Sequence, residues 1–352
     1  VLRVALSGTG RIGRLCLRKA LSEECGDLEI SVVNSTCSAR VLAHLLQYDT
    51  VHGKWDAVIE VEDRALTING RRITLISGRH SPDALPWREF GVELAIDATG
   101  KFTDRSGMEK HLAAGAEKVL ITSPGKDVDL TVVMGVNERR YDARRHRLLS
   151  AASCTTNCLA PVLYILDEAF GVKRGWMTTV HAYTNDQKHL DNPHQDLRRA
   201  RSCTSSIIPT STGAGKALAD VLPHLAPHIR GVSLRVPTQD VSLLDVQLQL
   251  HGAVKTQDVK TAFEQAIAGS LGAYVDYNEL PLVSSDYIGN AKSAVIDGLS
   301  IMTDGDQVKL LAWYDNEWAY ACRVIDFARY IAQESQMHKE ESGYDKLQQS
   351  SC

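Results

Sequence analysis

The segment that most constrains this chain is Gly8-Thr9-Gly10-Arg11-Ile12-Gly13, a G-x-G-x-x-G turn between a β-rich run at Val1–Ser7 and a helical pattern at Arg14–Cys25. The spacing alone is common; the strand before it and the helix after it give it meaning. In that setting the first glycine permits a tight turn, the second lets the backbone approach a pyrophosphate, and the third lets helix and strand pack closely. Ile12 and the helix N-terminus add N–H groups and a partial positive charge for the phosphates. β-rich runs at Leu28–Asn34, Leu94–Asp97, Lys118–Thr122 and Leu130–Gly135 follow, with a helical stretch at Gly107–Ala114. That alternation predicts an α/β fold, a Rossmann-type doubly wound parallel sheet.

A chain of 352 residues exceeds one ordinary core, so two domains are expected. The pattern changes near residue 152. Helical stretches at Thr155–Phe170 and Thr256–Ala268 alternate with longer β-like runs at Met177–His181, Gly231–Pro237, Ser242–Leu250 and Val308–Tyr314. The expected division is a dinucleotide-binding domain over 1–152, joined by a C-terminal helix at about 319–332, and an α+β catalytic domain with a mixed sheet over 153–318. Residues 333–352 are polar and charged and read as a mobile tail.

The formal charge of −4 gives no general attraction to polyanions, and no basic or aromatic surface dedicated to nucleic acid is evident. No run approaches the length of a membrane span, and residues 1–13 lack the layout of a secretory signal. The eight cysteines are scattered through a large chain, so reduced thiols and a cytoplasmic location are expected.

A carboxylate about twenty residues beyond the glycine turn would grip the adenosine ribose diol. The second β-like run instead ends Val32-Val33-Asn34-Ser35-Thr36-Cys37-Ser38. A carboxylate there would repel a 2′-phosphate, whereas hydroxyls and an amide can bond to it. NADP is therefore expected to be preferred, with NAD as the second candidate, and Asn34 and Ser35 are ribose-side candidates. Arg79, in a loop after another β-like run, is a candidate for the adenine or the 2′-phosphate; a solvated surface arginine is the alternative.

Cys154 lies where a β-like run turns into a helical one, in Ser153-Cys154-Thr155-Thr156-Asn157-Cys158. A helix N-terminus favours thiolate over thiol. A buried inert cysteine is the ordinary alternative. Zinc is not expected, because no second close Cys or His pair accompanies Cys154 and Cys158. His181 ends a β-like run. Beside the sulfur, its imidazolium would lower the thiol pKa, and its neutral ring could take the proton of a thiohemiacetal hydroxyl.

The strings Ser153–Cys158, Thr178–Asp186, Asp196–Arg201, Ser206–Gly213, Arg235-Val236-Pro237-Thr238 and Trp313-Tyr314-Asp315-Asn316-Glu317 occur in this order. In them the chain resembles the glyceraldehyde-3-phosphate dehydrogenases, from the glycine turn to about Ile331. The resemblance implies that Cys154 attacks the aldehyde of glyceraldehyde 3-phosphate and that His181 acts as the base while hydride passes to the nicotinamide. Inorganic phosphate then releases 1,3-bisphosphoglycerate. It implies a substrate-phosphate pocket at Thr184, Asp186 and Arg235, and an attacking-phosphate pocket at Ser153, Thr212 and Gly213 with Thr155. Arg199 lies close to both, and Asp186 is expected to orient an arginine. Asn316 would hold the nicotinamide carboxamide with Tyr320 nearby; Thr99, Gly100 and Ser123 complete the cofactor set. A homotetramer is implied as well.

Three positions depart from the family pattern. Thr9 stands where an aromatic or bulky residue is usual, Ser7 where asparagine is usual, and Ala319 where glycine is usual. With Ser35 lacking the acid and the stretch Leu42–Thr50 following, the chain is similar to the anabolic, NADP-linked bacterial branch. Erythrose-4-phosphate dehydrogenase is the nearest alternative, although its members lack the combination at 183–186 and 212–213. A non-catalytic binding role is the alternative of a different class.

Overall fold

Leu2–Ser7 form β1, in which Val4 through Ser7 are all buried, as befits a strand covered on both faces in the middle of a parallel sheet. The structure is a computed structural model that describes the backbone of residues 1–22 and 26–349 and the side chains of 1–21 and 26–337. The chain divides into two compact units: Val1–Val132, Glu138–Ala151 and Ala321–Cys352 form the first, Val133–Asn137 and Ala152–Tyr320 the second.

In the first unit β1 is followed by α1 (Arg11–Ser22), β2 (Leu28–Ser35), α2 (Ala39–Gln47) and a small hairpin of β3 (Tyr48–Asp49) and β4 (Gly53–Lys54). Then come β5 (Ile59–Val61), β6 (Ala65–Ile68), β7 (Arg71–Ser77), β8 (Leu94–Asp97), α3 (Arg105–Ala113), β9 (Lys118–Ile121), β10 (Leu130–Thr131) and β11 (Leu148–Ser150). The sheet order is β10-β11-β9-β8-β1-β2-β7-β6-β5. Strands β10 through β7 in that order run parallel, and β6 and β5 add an antiparallel edge. The chain leaves β1 for β2 on one side and reaches β8 on the other. The crevice beyond their carboxyl ends is thus the switch point where such sheets bind dinucleotides.

Helix α1 starts at Arg11, three residues before the start expected from the sequence, because the Gly10 carbonyl already accepts the Arg14 N–H at 3.1 Å. The helical reading to Cys25 ends outside the described residues. The run at 130–135 keeps only Leu130–Thr131 as strand.

The second unit contains α4 (Cys154–Phe170), β12 (Val172–Ala182), β13 (Ile208–Thr210), α5 (Ala214–Val221), β14 (Ile229–Val236), β15 (Ser242–Leu250) and α6 (Thr256–Ala268). It continues through β16 (Val275–Asn278), β17 (Ala294–Asp304), β18 (Gln307–Tyr314) and the start of α7 (Trp318–Gln349). Its mixed sheet has the order β13-β14-β12-β15-β18-β17-β16. Helices α4, α5 and α6 cover one face, where Leu159, Leu163, Leu218, Val259 and Phe263 meet Leu244, Val246, Leu310 and Ala312. Burying each such leucine, valine or phenylalanine contributes about 1.5–3 kcal/mol. On the opposite face, Val180, Leu234, Leu243 and Trp313 lie in register across four strands, and Trp176 and Val232 are exposed.

From Ala321 onward α7 belongs to the first unit, where Val324, Ile325, Phe327 and Ile331 are buried. The helix continues to Gln349, through the segment read from the sequence as a tail. Gln, Glu, Lys and Met are good helix formers, so such a segment can extend a helix already nucleated by buried residues. Among the described residues no helix is long and apolar enough to cross a membrane.

Candidate active site and cofactor site

Cys154 is the first residue of α4, capped by Ser153, whose Oγ accepts the Thr156 N–H at 3.1 Å. The turn before it is strained: Ala152 has φ +57°, a region that alanine rarely adopts. Its carbonyl accepts from Tyr320 Oη at 2.9 Å, which holds the turn in place. His181 comes from the end of β12, and its Nε2 lies 3.4 Å from Cys154 Sγ. The other ring nitrogen, Nδ1, is 2.6 Å from the Ala182 carbonyl. Arg235 Nη1 also stands 3.2 Å from Nδ1, but the shorter carbonyl contact places the proton on Nδ1 and leaves a lone pair on Nε2 for the sulfur.

Burial, followed by the charges of Arg235 and Arg199, pushes the His181 imidazolium down to about 3 despite the favourable Ala182 carbonyl. Burial likewise pushes the Cys154 thiol up, and Arg235 and Thr155 pull it back in part. The sulfur is densely surrounded although the residue is still partly reached by solvent. Burial thus weighs against charge on both partners, against the thiolate that the helix start favours, and toward the neutral-ring role of His181. The cause is desolvation, which disfavours both charged forms and which the helix-start argument left out.

Arg235 Nη1 donates to the Ala182 carbonyl at 3.0 Å and to Thr184 Oγ1 at 3.3 Å. Arg199 pairs with Asp186, donates from Nε to Thr210 Oγ1 at 3.0 Å, and reaches the Ser211 carbonyl at 3.4 Å. Arg235–Thr184 and Arg199–Asp186 are thus two bonded pairs whose arginines both act on His181, and Arg199 ties in the segment that leads to Thr212 and Gly213. Thr212 Oγ1 accepts the Ala214 N–H at the start of α5 at 3.2 Å. The buried Thr155 hydroxyl meets Tyr314 Oη at 3.0 Å, and both its hydroxyl and its N–H bond toward the Cys154 sulfur.

Two residues escaped the sequence reading. Tyr314 Oη also meets Thr179 Oγ1 at 2.7 Å, and its ring lies edge-on to His181. Ser242 Oγ accepts the Ala182 N–H at 3.1 Å and donates to Asn316 Oδ1 at 2.7 Å, connecting the histidine strand to Asn316. Both sit in strands whose alternation signals burial alone; only the fold shows what their hydroxyls touch.

The first unit provides the cradle a dinucleotide requires. Gly8 has φ +96°, and a Cβ there would lie 2.8 Å from Thr99 N; a Cβ on Gly13 would strike the Gly8 carbonyl. Nothing stands within 4 Å of the position a Cβ on Gly10 would take. Thr99 N donates to Asp97 Oδ1 at 2.7 Å, and Gly100 follows at φ +67°. Ser150 Oγ donates to the Ser123 carbonyl at 2.7 Å, while the buried Ser123 hydroxyl has no partner among the described residues. These residues fit an NAD(P) pyrophosphate approached by bare backbone. The Arg11 guanidinium is bound to Asp49, which leaves its backbone N–H at the helix start within the glycine turn. One expectation is corrected. The Asn34 amide is committed to the Ile76 carbonyl at 3.1 Å and to Ser7 Oγ at 3.4 Å, so it faces the sheet.

Burial raises the Asp49 carboxyl, but bonds from Arg11, His52 and Val51 outweigh it and hold the group at about 2, below its ordinary value of 3.8. A depressed carboxylate stabilises the fold above its unfolded value and loses that contribution as pH falls through the folded one. Asp49→Asn is therefore expected to lower unfolding free energy by about 2 kcal/mol at pH 7. The difference should shrink below about pH 4. Urea titrations at several pH values check this, and an equal loss at pH 3 and pH 7 would contradict it.

Two family models match the sequence. The family described as "Glyceraldehyde 3-phosphate dehydrogenase, NAD binding domain" matches residues 2–105, and "Glyceraldehyde 3-phosphate dehydrogenase, C-terminal domain" matches residues 153–316. The protein is an NAD(P)-dependent oxidoreductase. Over 332 residues, 94% of this chain and 97% of the relative, it is 51% identical to "Glyceraldehyde-3-phosphate dehydrogenase 2" of Bacillus subtilis (strain 168). Identity to "Glyceraldehyde-3-phosphate dehydrogenase" of Geobacillus stearothermophilus is 49%, covering 94% and 98% of the two chains. Identity to "Glyceraldehyde-3-phosphate dehydrogenase 2" of Nostoc sp. is 48%, covering 95% and 99%. The chain belongs to the glyceraldehyde-3-phosphate dehydrogenase family.

Proposed function

We propose that the enzyme converts glyceraldehyde 3-phosphate and inorganic phosphate reversibly to 1,3-bisphosphoglycerate through a thiohemiacetal and then a thioester on Cys154, with NADP preferred over NAD. The observation that carries this reading is the 3.4 Å approach of Cys154 Sγ to His181 Nε2. As the sulfur attacks the aldehyde carbon, the thiol proton passes through Nε2 to the new hydroxyl. Nε2 then takes that hydroxyl proton as the carbonyl re-forms. When bound, the nicotinamide serves as hydride acceptor. Arg235 and Thr184 bind the substrate phosphate, and Arg199, held by Asp186, assists the attacking phosphate with Ser153, Thr212 and Gly213. Asn316, fixed by Ser242, orients the nicotinamide carboxamide.

NADP preference is supported by the absence of a carboxylate at Ser35 and by Arg79, which is exposed and close in the fold: Gly78 N donates to the Ser35 carbonyl at 2.7 Å. Steady-state assays with glyceraldehyde 3-phosphate and erythrose 4-phosphate, with and without phosphate and with either cofactor, test the whole reading. Sustained turnover of the triose that needs phosphate, and a higher kcat/KM with NADP, are expected. Faster turnover of erythrose 4-phosphate, or a clear NAD preference, would overturn the corresponding part.

We infer a homotetramer from the uncovered sheet face of the second unit, where Trp176 is 65% and Val232 52% exposed beside in-register apolar rows. Antiparallel-rich sheets normally turn polar residues to solvent, so an apolar open face marks a contact surface. Val232→Asp is expected to give a smaller species in light scattering; an unchanged mass would argue against this face.

A further inference from the structure

Where β1 and β2 end, a chain of hydrogen bonds leads outward to the glycine turn. The Cys37 N–H donates to Ser35 Oγ at 3.2 Å, and Ser35 Oγ lies 2.5 Å from Thr9 Oγ1. Ser35 is buried, whereas Thr9 is partly open to solvent. The Ser35 hydroxyl has one proton and two neighbours to receive it, Thr9 Oγ1 and Cys37 Sγ at 3.1 Å. Either hydroxyl can donate in the Ser35–Thr9 pair; the sense in which Ser35 donates to Thr9 keeps its proton on oxygen, a better acceptor than sulfur, and is the sense an anion outside the turn selects. The Thr9 proton is then turned away from Ser35, toward the open side of the turn. A carboxylate at position 35 can only accept, so it would draw the Thr9 proton inward and leave no donor outside.

The surroundings suit an anion. Asn34 is turned to the sheet and cannot serve here. Ser38, exposed at the start of α2, makes no capping bond with its hydroxyl, and the first turn of α2 holds no acid. Arg79 is exposed, has no partner among the described residues, and follows Gly78, which is bonded to the Ser35 backbone.

Resting on the NADP reading above, we propose that Thr9 is a specificity-determining residue of the cofactor site: its hydroxyl donates to the ribose 2′-phosphate, and Ser35 is the positioning residue that aims it. Arg79 supplies the countercharge. Sequence patterns place specificity at the end of β2; the hydrogen-bond direction moves the contact to the glycine turn.

The test compares wild type, Thr9→Val, Thr9→Ser and Ser35→Ala in kcat/KM for NADP and NAD, and in inhibition by 2′,5′-ADP and 5′-AMP. Valine keeps the shape of threonine and removes only the hydroxyl. Loss of a hydrogen bond to a charged group should lower the NADP:NAD ratio about tenfold or more. Inhibition by 2′,5′-ADP should weaken more than inhibition by 5′-AMP, and Thr9→Ser should restore both ratios. A wild type that prefers NAD overturns the NADP reading itself. A wild type that prefers NADP, with ratios unaltered in Thr9→Val, overturns the role of Thr9 alone. If Thr9→Val does not accumulate as folded protein, Ser35→Ala decides the matter: a ratio lowered severalfold supports the relay, and an unchanged ratio overturns it.

Discussion

Replacing Cys154 by alanine should lower turnover of glyceraldehyde 3-phosphate by at least about 10⁴-fold, because no other group can form the covalent intermediate. Cys158, the nearest thiol in sequence, is fully buried and its thiol is pushed well up by burial, so it cannot substitute. Serine at 154 should be nearly as inactive, since its hydroxyl is a far weaker nucleophile beside a neutral imidazole. Stopped-flow measurement of reduced cofactor in single turnovers, without phosphate, checks the point: wild type should give one equivalent per site and both variants none. A burst from Cys154→Ala would remove Cys154 from the mechanism. A correct melting temperature and retained cofactor binding in the variants would exclude a folding defect, since Cys154 lies at a helix start and not in the packed interior of α4.

His181→Asn is expected to lower kcat by about 10²–10⁴-fold, the usual contribution of a positioned base. Asparagine is short enough for the buried site and can still donate to the Ala182 carbonyl, but it places no lone pair at the sulfur. The remaining rate should rise with pH, because hydroxide replaces the lost base, whereas wild type keeps a neutral ring at physiological pH. The sign follows from burial and from Arg235 and Arg199, which hold the imidazolium down to about 3. Pre-steady-state rates across the pH range distinguish this from a positional defect, which would slow the enzyme without altering the slope.

These two residues also show how unevenly the sequence discloses a site. Cys154 and His181 were legible, one from a strand-to-helix transition and the other from a strand end, and both transitions are local. Their protonation was not legible: it depends on how much protein surrounds them and on two arginines from positions 199 and 235. Asn34 illustrates the same limit, since it has the right chemistry at the right place in the chain but turns its amide inward to Ile76. Tyr314 and Ser242 were missed for the reverse reason, because alternation in a strand reports which face is buried and not what a buried hydroxyl meets.

By itself, the sequence determined the fold class and the glycine cradle, singled out Cys154 and His181 as candidates, and showed no carboxylate at Ser35. These features rest on periodicity, on glycine stereochemistry and on residue type, all of which act over a few neighbouring positions. Tertiary structure alone decided that burial weighs against charge on Cys154 and His181, that the Arg11 guanidinium lies on Asp49, and that the Ser35 hydroxyl meets Thr9. Each of those outcomes depends on desolvation or on the direction of a hydrogen bond between residues distant in the chain, and neither quantity exists until the chain is packed.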